Sequence, residues 1–259
     1  MVHMFIFGLG YTASRIAAAV RAAGGRVEAT GSAGDIVFND PDAVHGALAQ
    51  ASHVLSSVPP ADGSDPVLDR YGSALAEKRL LYLSSTGVYG DAQGAWVDEA
   101  SPTGHGRRSA RAQCDARWLE AGASVFRLPG IYGPGRSPLD RVREGRAHRI
   151  EMPNQVFSRI HVNDIVRGIM AGLGAPPGAY NLADDLPASH NRVTEEACRL
   201  LGRTPPPLQS MDEAGLSPMA RGFYAENRRV ANGKAKRVLG WRPAYPDYRS
   251  GLRALMQTN

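Results

Sequence analysis

A short apolar run, Val2-His3-Met4-Phe5-Ile6-Phe7, breaks into Gly8-Leu9-Gly10-Tyr11-Thr12-Ala13 and continues as Ser14-Arg15-Ile16-Ala17-Ala18-Ala19-Val20. Few folds accept a strand that ends in two closely spaced glycines and turns at once into a helix of small residues. Gly8 suits the tight turn, Gly10 lets the backbone approach a pyrophosphate, and Ala13 keeps the helix close to the strand. The unpaired N–H groups and the dipole at the helix start favour a phosphate there. The stretch therefore predicts the first βα turn of a dinucleotide-binding fold, with Tyr11, Thr12, Ala13 and Arg15 beside the ligand.

The 259 residues suffice for one large α/β domain or a domain with a lobe. With 43% hydrophobic and 21% charged residues the composition is that of an ordinary globular chain. No apolar stretch approaches the roughly 20 residues of a membrane span. The first apolar run lacks a basic segment ahead of it and ends in glycines, which argues against a signal peptide. Cys114 and Cys198 stand far apart with no metal-ligand spacing, so a reduced, cytoplasmic protein is expected. The net charge is +5, and Lys78, Lys234 and Lys236 are the only lysines. The arginines are scattered, with small clusters at Arg107-Arg108-Arg111 and Arg228-Arg229. A nucleic-acid binder needs a basic stripe with stacking aromatics, and none is present. An anionic small molecule, such as a nucleotide, accounts for the excess.

Strands and helices alternate along the chain. Helix one runs to about Ala23 and stops at Gly24-Gly25. Strands are expected at Arg26–Thr30, Asp35–Phe38, His53–Val58, Leu80–Ser84 and Ser124–Leu128. The intervening helices are Pro41–Gln50, Pro66–Lys78 and Gly106–Ala121. Only Gly31-Ser32-Ala33-Gly34 separates the second and third strands, and parallel neighbours need a crossover of about a dozen residues. Either the usual helix is reduced to a loop, or one of these two strands is absent. Further on, Pro138–Glu144, Val162–Leu173 and Ser189–Leu201 read as helices and Ala179–Leu182 as a last strand. Pro205-Pro206-Pro207 reads as a stiff linker, and helices near Gly233–Leu239 and Asp247–Met256 follow. The pattern predicts a Rossmann-type α/β fold, a doubly wound parallel sheet. Residues 1–185 form the dinucleotide-binding domain, and residues 186–259, with part of 137–160, form a smaller substrate lobe.

The strand at Leu80–Ser84 continues as Ser84-Ser85-Thr86-Gly87-Val88-Tyr89-Gly90. Hydroxyls there face the crevice in which such sheets bind ligands, or they satisfy turn backbone. The string Ser-Ser-x-x-Val-Tyr-Gly resembles the extended short-chain dehydrogenase/reductase family, the epimerases and dehydratases of sugar nucleotides. Arg127-Leu128-Pro129-Gly130-Ile131-Tyr132-Gly133-Pro134-Gly135-Arg136 resembles that family's turn beside the nicotinamide. Arg159-Ile160-His161-Val162-Asn163-Asp164 resembles its H-V-x-D segment, and Leu239-Gly240-Trp241-Arg242-Pro243 its C-terminal L-G-W-x-P. The Gly-x-Gly-x-x-Ala departs from the family's usual G-x-x-G-x-x-G and fits its atypical members better.

By position, the resemblance implies that Ser85 is the catalytic hydroxyl, with Thr86 a neighbouring candidate and Tyr89 a structural residue. The family's proton donor is the Tyr of a Y-x-x-x-K motif further along. This chain has no tyrosine between Tyr89 and Tyr132 and no lysine between Lys78 and Lys234, so that motif is absent. Arg107 falls where the Tyr would be and Arg111 where the Lys would be. Arg111 keeps a positive charge for the ribose, as a fork rather than a point, whereas Arg107 cannot exchange protons near neutral pH. His105 has a suitable ordinary pKa but sits in a loop. Tyr132 and His161 read better as packing and helix-capping residues, and Asp164 as an anchor.

An acidic residue at the end of the second strand would hold the adenosine ribose of NAD. Thr30 and Ser32 stand there instead and leave room for the extra phosphate of NADP, with Arg15 either reaching it or solvated on its helix. NADP is therefore the expected cofactor, with NAD the other option. Ser57, Val58, Pro59 and Ser84 are placed along the cofactor, and Pro129, Gly130 and Ile131 against the nicotinamide. Arg136 and Arg159, with Arg228, are candidates for an anionic small-molecule substrate. The resemblance also implies a homodimer. Two functions follow: an NAD(P)-dependent oxidoreductase or epimerase/dehydratase acting on a hydroxyl or carbonyl of a small, nucleotide-sugar-like substrate, or a non-catalytic NAD(P)-binding sensor or interaction protein.

Overall fold

The computed structural model describes residues 1–107 and 109–257; Arg108, one of the clustered arginines, lies outside them. At its centre are β1 (His3–Phe7), β2 (Arg26–Ala29), β3 (His53–Ser56), β4 (Arg79–Ser85), β5 (Ser124–Leu128) and β6 (Gly178–Asn181). All six pair in parallel, in the order β2-β1-β3-β4-β5-β6. The fold is thus the expected Rossmann-like α/β arrangement.

The alternation of β1 explains why both faces are covered. Met4 and Ile6 point to one side with Leu81, Leu83 and Phe126, and Phe5 and Phe7 to the other with Tyr82 and Val125. Side chains on a strand alternate with period two, and a parallel sheet is apolar on both faces. Helices α1 (Tyr11–Ala22) and α6 (Val162–Ala171) cover the first face. Helices α2 (Pro41–Gln50), α3 (Pro66–Tyr71) and α4 (Ser109–Glu120) cover the second. There the buried Trp118 stacks on Tyr82 with ring centroids 5.2 Å apart and donates to Asp65 Oδ2 at 2.7 Å. A separate cluster joins α5 (Pro138–Arg143), α7 (His190–Leu200) and α10 (Tyr248–Gln257). Two short helices, α8 (Pro218–Tyr224) and α9 (Gly233–Val238), complete the chain. Trp241 sits in the sheet-face core, its Nε1 donating to Asp164 O at 3.0 Å.

The expected strand at Asp35–Phe38 is not formed. Only a single bridge, Thr30 with Ile36, remains of it. Ile36 N donates to Ala29 O at 3.0 Å, and Asp35 Oδ1 accepts from Ala29 N at 3.0 Å. The chain folds back onto the end of β2 because four small residues are too few for a crossover. The helix expected to reach Lys78 stops at Tyr71, continues as one tight turn over Gly72–Leu75, and ends with Glu77 at a positive φ. The helix expected from Gly106 begins at Ser109, and α8 forms between the proline run and Ala225.

A buried ion pair locks the second half of the sheet to α4. Arg127 on β5 donates to Asp115 through Nη2 at 2.6 Å and Nε at 3.0 Å, and Ser84 Oγ donates to the same carboxylate at 2.6 Å. Arg127 Nη1 also donates to Tyr89 Oη at 3.0 Å, and that hydroxyl donates to Asn181 Oδ1 at 2.8 Å. Asp115→Ala leaves the guanidinium buried without its counter-charge, and urea unfolding is expected to show a loss of about 3–5 kcal/mol. A loss below about 1 kcal/mol would mean that water reaches Arg127.

Candidate functional site

The strand ends align along one edge of the sheet. Phe7 pairs with Ser56, and Ser85 with Leu128, so Gly8, Ser57, Ser85 and Pro129 follow one another across it. This edge includes the point between β1 and β3 where the winding direction reverses, which is where open α/β sheets bind ligands.

The turn after β1 is held from both sides. Gly8 has φ +86°, a conformation open to glycine at little cost. Its N–H donates to Thr30 Oγ1 at 3.2 Å, and Leu9 N donates to Thr30 O at 2.7 Å. Ser57 Oγ donates to Gly8 O at 2.5 Å. Gly31, with φ +111°, lets the end of β2 approach: a Cβ there would lie 2.7 Å from Leu9 N. Thr30 is thereby buried and committed to the turn, while Ser32 stays exposed. A Cβ on Gly10 would meet nothing within 4 Å, and no side chain caps the first turn of α1. Its N–H groups, at Tyr11, Thr12 and Ala13, therefore have no side-chain cap. That turn holds no acidic residue. Arg15 and Arg136 flank the Tyr11 ring, their guanidinium carbons 3.9 and 5.8 Å from its centroid. An uncapped helix start ringed by arginines suits a diphosphate.

At the end of β4, Ser84 and Ser85 part company. Ser84 faces α4 and is bound to Asp115. Ser85, on the opposite face, accepts from Gly87 N at 3.1 Å, which leaves its hydroxyl hydrogen free to donate. Thr86 is buried beside it. Tyr89 is embedded in the ion-pair network, the structural place expected of it. Arg111 donates from Nη1 to Tyr82 Oη at 2.8 Å. The backbone N–H of Arg107 donates to Glu226 Oε1 at 3.1 Å, and its guanidinium lies 5.2 Å from the Phe223 ring. Arg228 donates to Glu226 Oε2 at 3.0 Å. Of the two arginines standing for Tyr and Lys, one therefore braces β4 and the other reaches α8. His105 is exposed.

A short parallel pair, Gly130–Tyr132 with Arg159–His161, forms the far side. Gly130 is exposed, with Pro129 and Ile131 half-buried beside it. His161 caps α6, its Nδ1 accepting from Asn163 N at 3.2 Å, and burial with the Arg15 charge holds its pKa down to about 4. Asp164 accepts from the N–H groups of Ala244 and Tyr245 at 2.7 and 3.0 Å and so anchors the C-terminal segment. Asp184, just beyond β6, is buried, and its carboxylate has only the backbone N–H groups of Leu186 and Arg159 to turn to. Burial pushes its pKa up to about 8, a rise that the charge of Arg159 only partly offsets. Nothing in the local pattern Asn181-Leu182-Ala183-Asp184 announces this, nor the grouping of His148, His190, Tyr224 and Phe157 nearby. Segments far apart in the chain build both.

No protein-family model matches the sequence. A conserved protein of unknown function from Silicibacter pomeroyi DSS is 39% identical over 100% of this chain and 99% of that one, with a TM-score of 0.89. Protein YeeZ of Escherichia coli K12 is 30% identical over 188 residues, 68% of this chain and 62% of YeeZ. A 3-diazoavenalumate denitrifying reductase of a Streptomyces species is 31% identical over 140 residues, 49% of this chain and 45% of that protein. The chain thus spans less than two thirds of the length of these curated relatives. At the level of fold it superposes on the human epimerase family protein SDR39U1, solved with NADPH, with a TM-score of 0.78 at 16% identity. Solved epimerases and dehydratases carrying NAD share the fold at 16 and 18% identity.

The buried carboxyl of Asp184 makes a measurable claim. A folded-state pKa above the unfolded value means that stability is full below about pH 4 and is lost as pH rises through about 8. Asp184→Asn removes that loss. Chemical denaturation from pH 5 to 8 is expected to show the variant gaining on the wild type, by at most about 1.4 kcal/mol per pH unit. A pH-independent difference would place the carboxyl in contact with water.

Proposed function

We propose that this chain, which belongs to the same family as the conserved Silicibacter pomeroyi protein, is an NAD(P)-dependent oxidoreductase or epimerase. It acts on a hydroxyl or carbonyl of a small, anionic substrate. The observation that carries the reading is the uncapped start of α1 beneath Gly8 and Gly10, with open space over Gly10 and two arginines beside it. The N–H groups of Tyr11, Thr12 and Ala13 would hold the diphosphate, and Ser57, Val58 and Pro59 would lie along the ribose. The nicotinamide would rest against Pro129, Gly130 and Ile131. When bound, the cofactor supplies or accepts a hydride.

NADP is favoured over NAD because Thr30-Gly31-Ser32 offers no acidic side chain, and the Asp35 carboxylate is engaged by Ala29 N. Solved neighbours carry either NADPH or NAD. Ser85 donates its free hydroxyl hydrogen to the substrate oxygen as that oxygen gains charge. The reductase named among the relatives acts, by its name, on a carboxylate anion, which agrees with an anionic substrate here. A binding-only sensor is favoured by one observation, the absence of tyrosine between Tyr89 and Tyr132. A cytoplasmic location is part of the same proposal; among the described residues no helix is long and apolar enough to cross a membrane.

Fluorescence titration with NADPH and NADH tests the reading, followed by turnover on a panel of carbonyl compounds. In Gly10→Val the new side chain enters the open space. NADPH affinity is expected to fall at least about tenfold, with folding stability changed by no more than about 1 kcal/mol. Turnover that collapses in Ser85→Ala supports the enzyme, and tight binding without turnover supports the sensor. Wild-type protein that ignores both nucleotides would remove the basis for either.

A further inference from the structure

Arg159 makes no hydrogen-bonded ion pair among the described residues. Both hydrogens of its Nη1 are spent, on Phe157 O and Ala188 O, each at 2.8 Å. Among the described residues, its N–H groups on Nε and Nη2 meet no acceptor, and no carboxylate comes within ion-pair range. Burial presses on the guanidinium and lowers its pKa, and Asp184 acts on it through space without a hydrogen bond to it. A half-buried cation in this state is costly, and proteins ordinarily pair such groups.

The other arginines of the lobe are already engaged. Arg107 and Arg228 lie against Glu226, Arg149 is paired with Glu195 at 2.8 Å, and Arg203 donates to the carbonyl of Val142 at 2.8 Å. Arg141 is exposed, so water balances its charge. Arg159 differs from these in keeping the three hydrogens of its Nε–Nη2 edge free.

Its position gives it a role. Arg159 pairs with Gly130, and a Cβ on Gly130 would lie 3.7 Å from Arg159 Cγ. The stem of Arg159 therefore borders the open edge assigned above to the nicotinamide, and its guanidinium reaches on to Phe157 and Ala188. On its other side the surroundings are flat rings. The Phe157 centroid is 5.8 Å from Arg159 Cζ, and Tyr224 meets Phe157 edge-on at 5.5 Å. His190 lies 6.4 Å from Tyr224 and stacks on His148 at 4.8 Å. His148 Nε2 and Tyr224 Oη are 3.3 Å apart.

We propose that Arg159 anchors a planar substrate with a single carboxylate, bound two-pronged on the free Nε–Nη2 edge with its ring along Phe157 and Tyr224. A guanidinium fork matches a carboxylate in this way. A nucleoside diphosphate carries more charge than one free guanidinium balances, and the rings supply stacking faces in place of further donors. The inference rests on the oxidoreductase reading for its chemistry, but the binding it describes is measured without turnover. Burial together with His148, Arg159 and Arg141 keeps His190 neutral, its pKa down to about 3, so an arriving anion also registers at that ring.

The test uses the full chain with three probes, benzoate, inorganic phosphate and uridine diphosphate, followed by calorimetry and by the ring-proton resonances of His148 and His190. Benzoate is expected to bind the wild type and move both resonances, and Arg159→Gln to weaken it at least about tenfold. Arg159→Lys keeps the charge without the fork; it is expected to lose most of that affinity and serves if the glutamine variant does not fold. Uridine diphosphate binding more tightly than benzoate through Arg159, benzoate affinity untouched by both substitutions, or no benzoate binding to the wild type would each overturn the proposal. A parallel NADPH titration of the wild type separates this failure from that of the dinucleotide reading.

Discussion

The two-pronged contact between Arg127 and Asp115 joins β5 to α4 in the interior, and three further side chains depend on it. Ser84 reaches the same carboxylate, Tyr89 shares the guanidinium, and Asn181 receives the Tyr89 hydroxyl. Through Asn181 Nδ2, which donates to Ala231 O at 3.0 Å, the network extends to the C-terminal segment. A buried pair of this kind recovers little net stability once desolvation is counted. Its effect is positional: β4, β5 and β6 end in a defined register, and that register sets Ser85 beside Leu128 and Pro129.

Two halves of one edge then face each other. One half is backbone: the turn at Gly8–Gly10, clamped by Thr30 and Ser57, leads into the uncapped N–H groups of Tyr11, Thr12 and Ala13. The other half is side chain: Arg159, Phe157, Tyr224 and the two histidines, carried by a short strand, the ends of α7 and α8, and the loops beside them. The division suits a cofactor whose shape is constant and a substrate whose shape is particular. Backbone donors recognise a diphosphate in any chain of this fold, whereas rings and a guanidinium select among small molecules.

Arginine in place of the expected tyrosine and lysine changes what α4 contributes. A guanidinium cannot exchange protons at neutral pH, and neither arginine is idle. Arg111 braces the Tyr82 hydroxyl, and Arg107 meets Glu226 and Phe223. Arg111 thus ties α4 to the sheet, and Arg107, ahead of the helix, lies against α8. Burial, with a smaller push from neighbouring arginines, holds the pKa values of His148, His161 and His190 below the usual histidine range.

The amino-acid order alone determined the parts that depend on neighbours in the chain. The period-two apolar pattern of Met4–Phe7 yields a strand buried on both faces, and Gly8-x-Gly10 yields a turn that opens a helix. His161 was legible as a cap and Tyr89 as structural through short motifs. The strand expected at Asp35–Phe38 failed because β-propensity is local, whereas sheet membership requires a crossover that four residues cannot supply. Tertiary structure decided the rest: that Thr30 serves the turn, that Ser84 is bound inward while Ser85 keeps a free hydrogen, that Arg15 and Arg136 share one tyrosine, and that Arg159 makes no hydrogen-bonded ion pair among the described residues. Each of these depends on groups brought together from distant segments. Charge, burial and hydrogen bonding act through space, so a periodicity read along the chain carries no record of them.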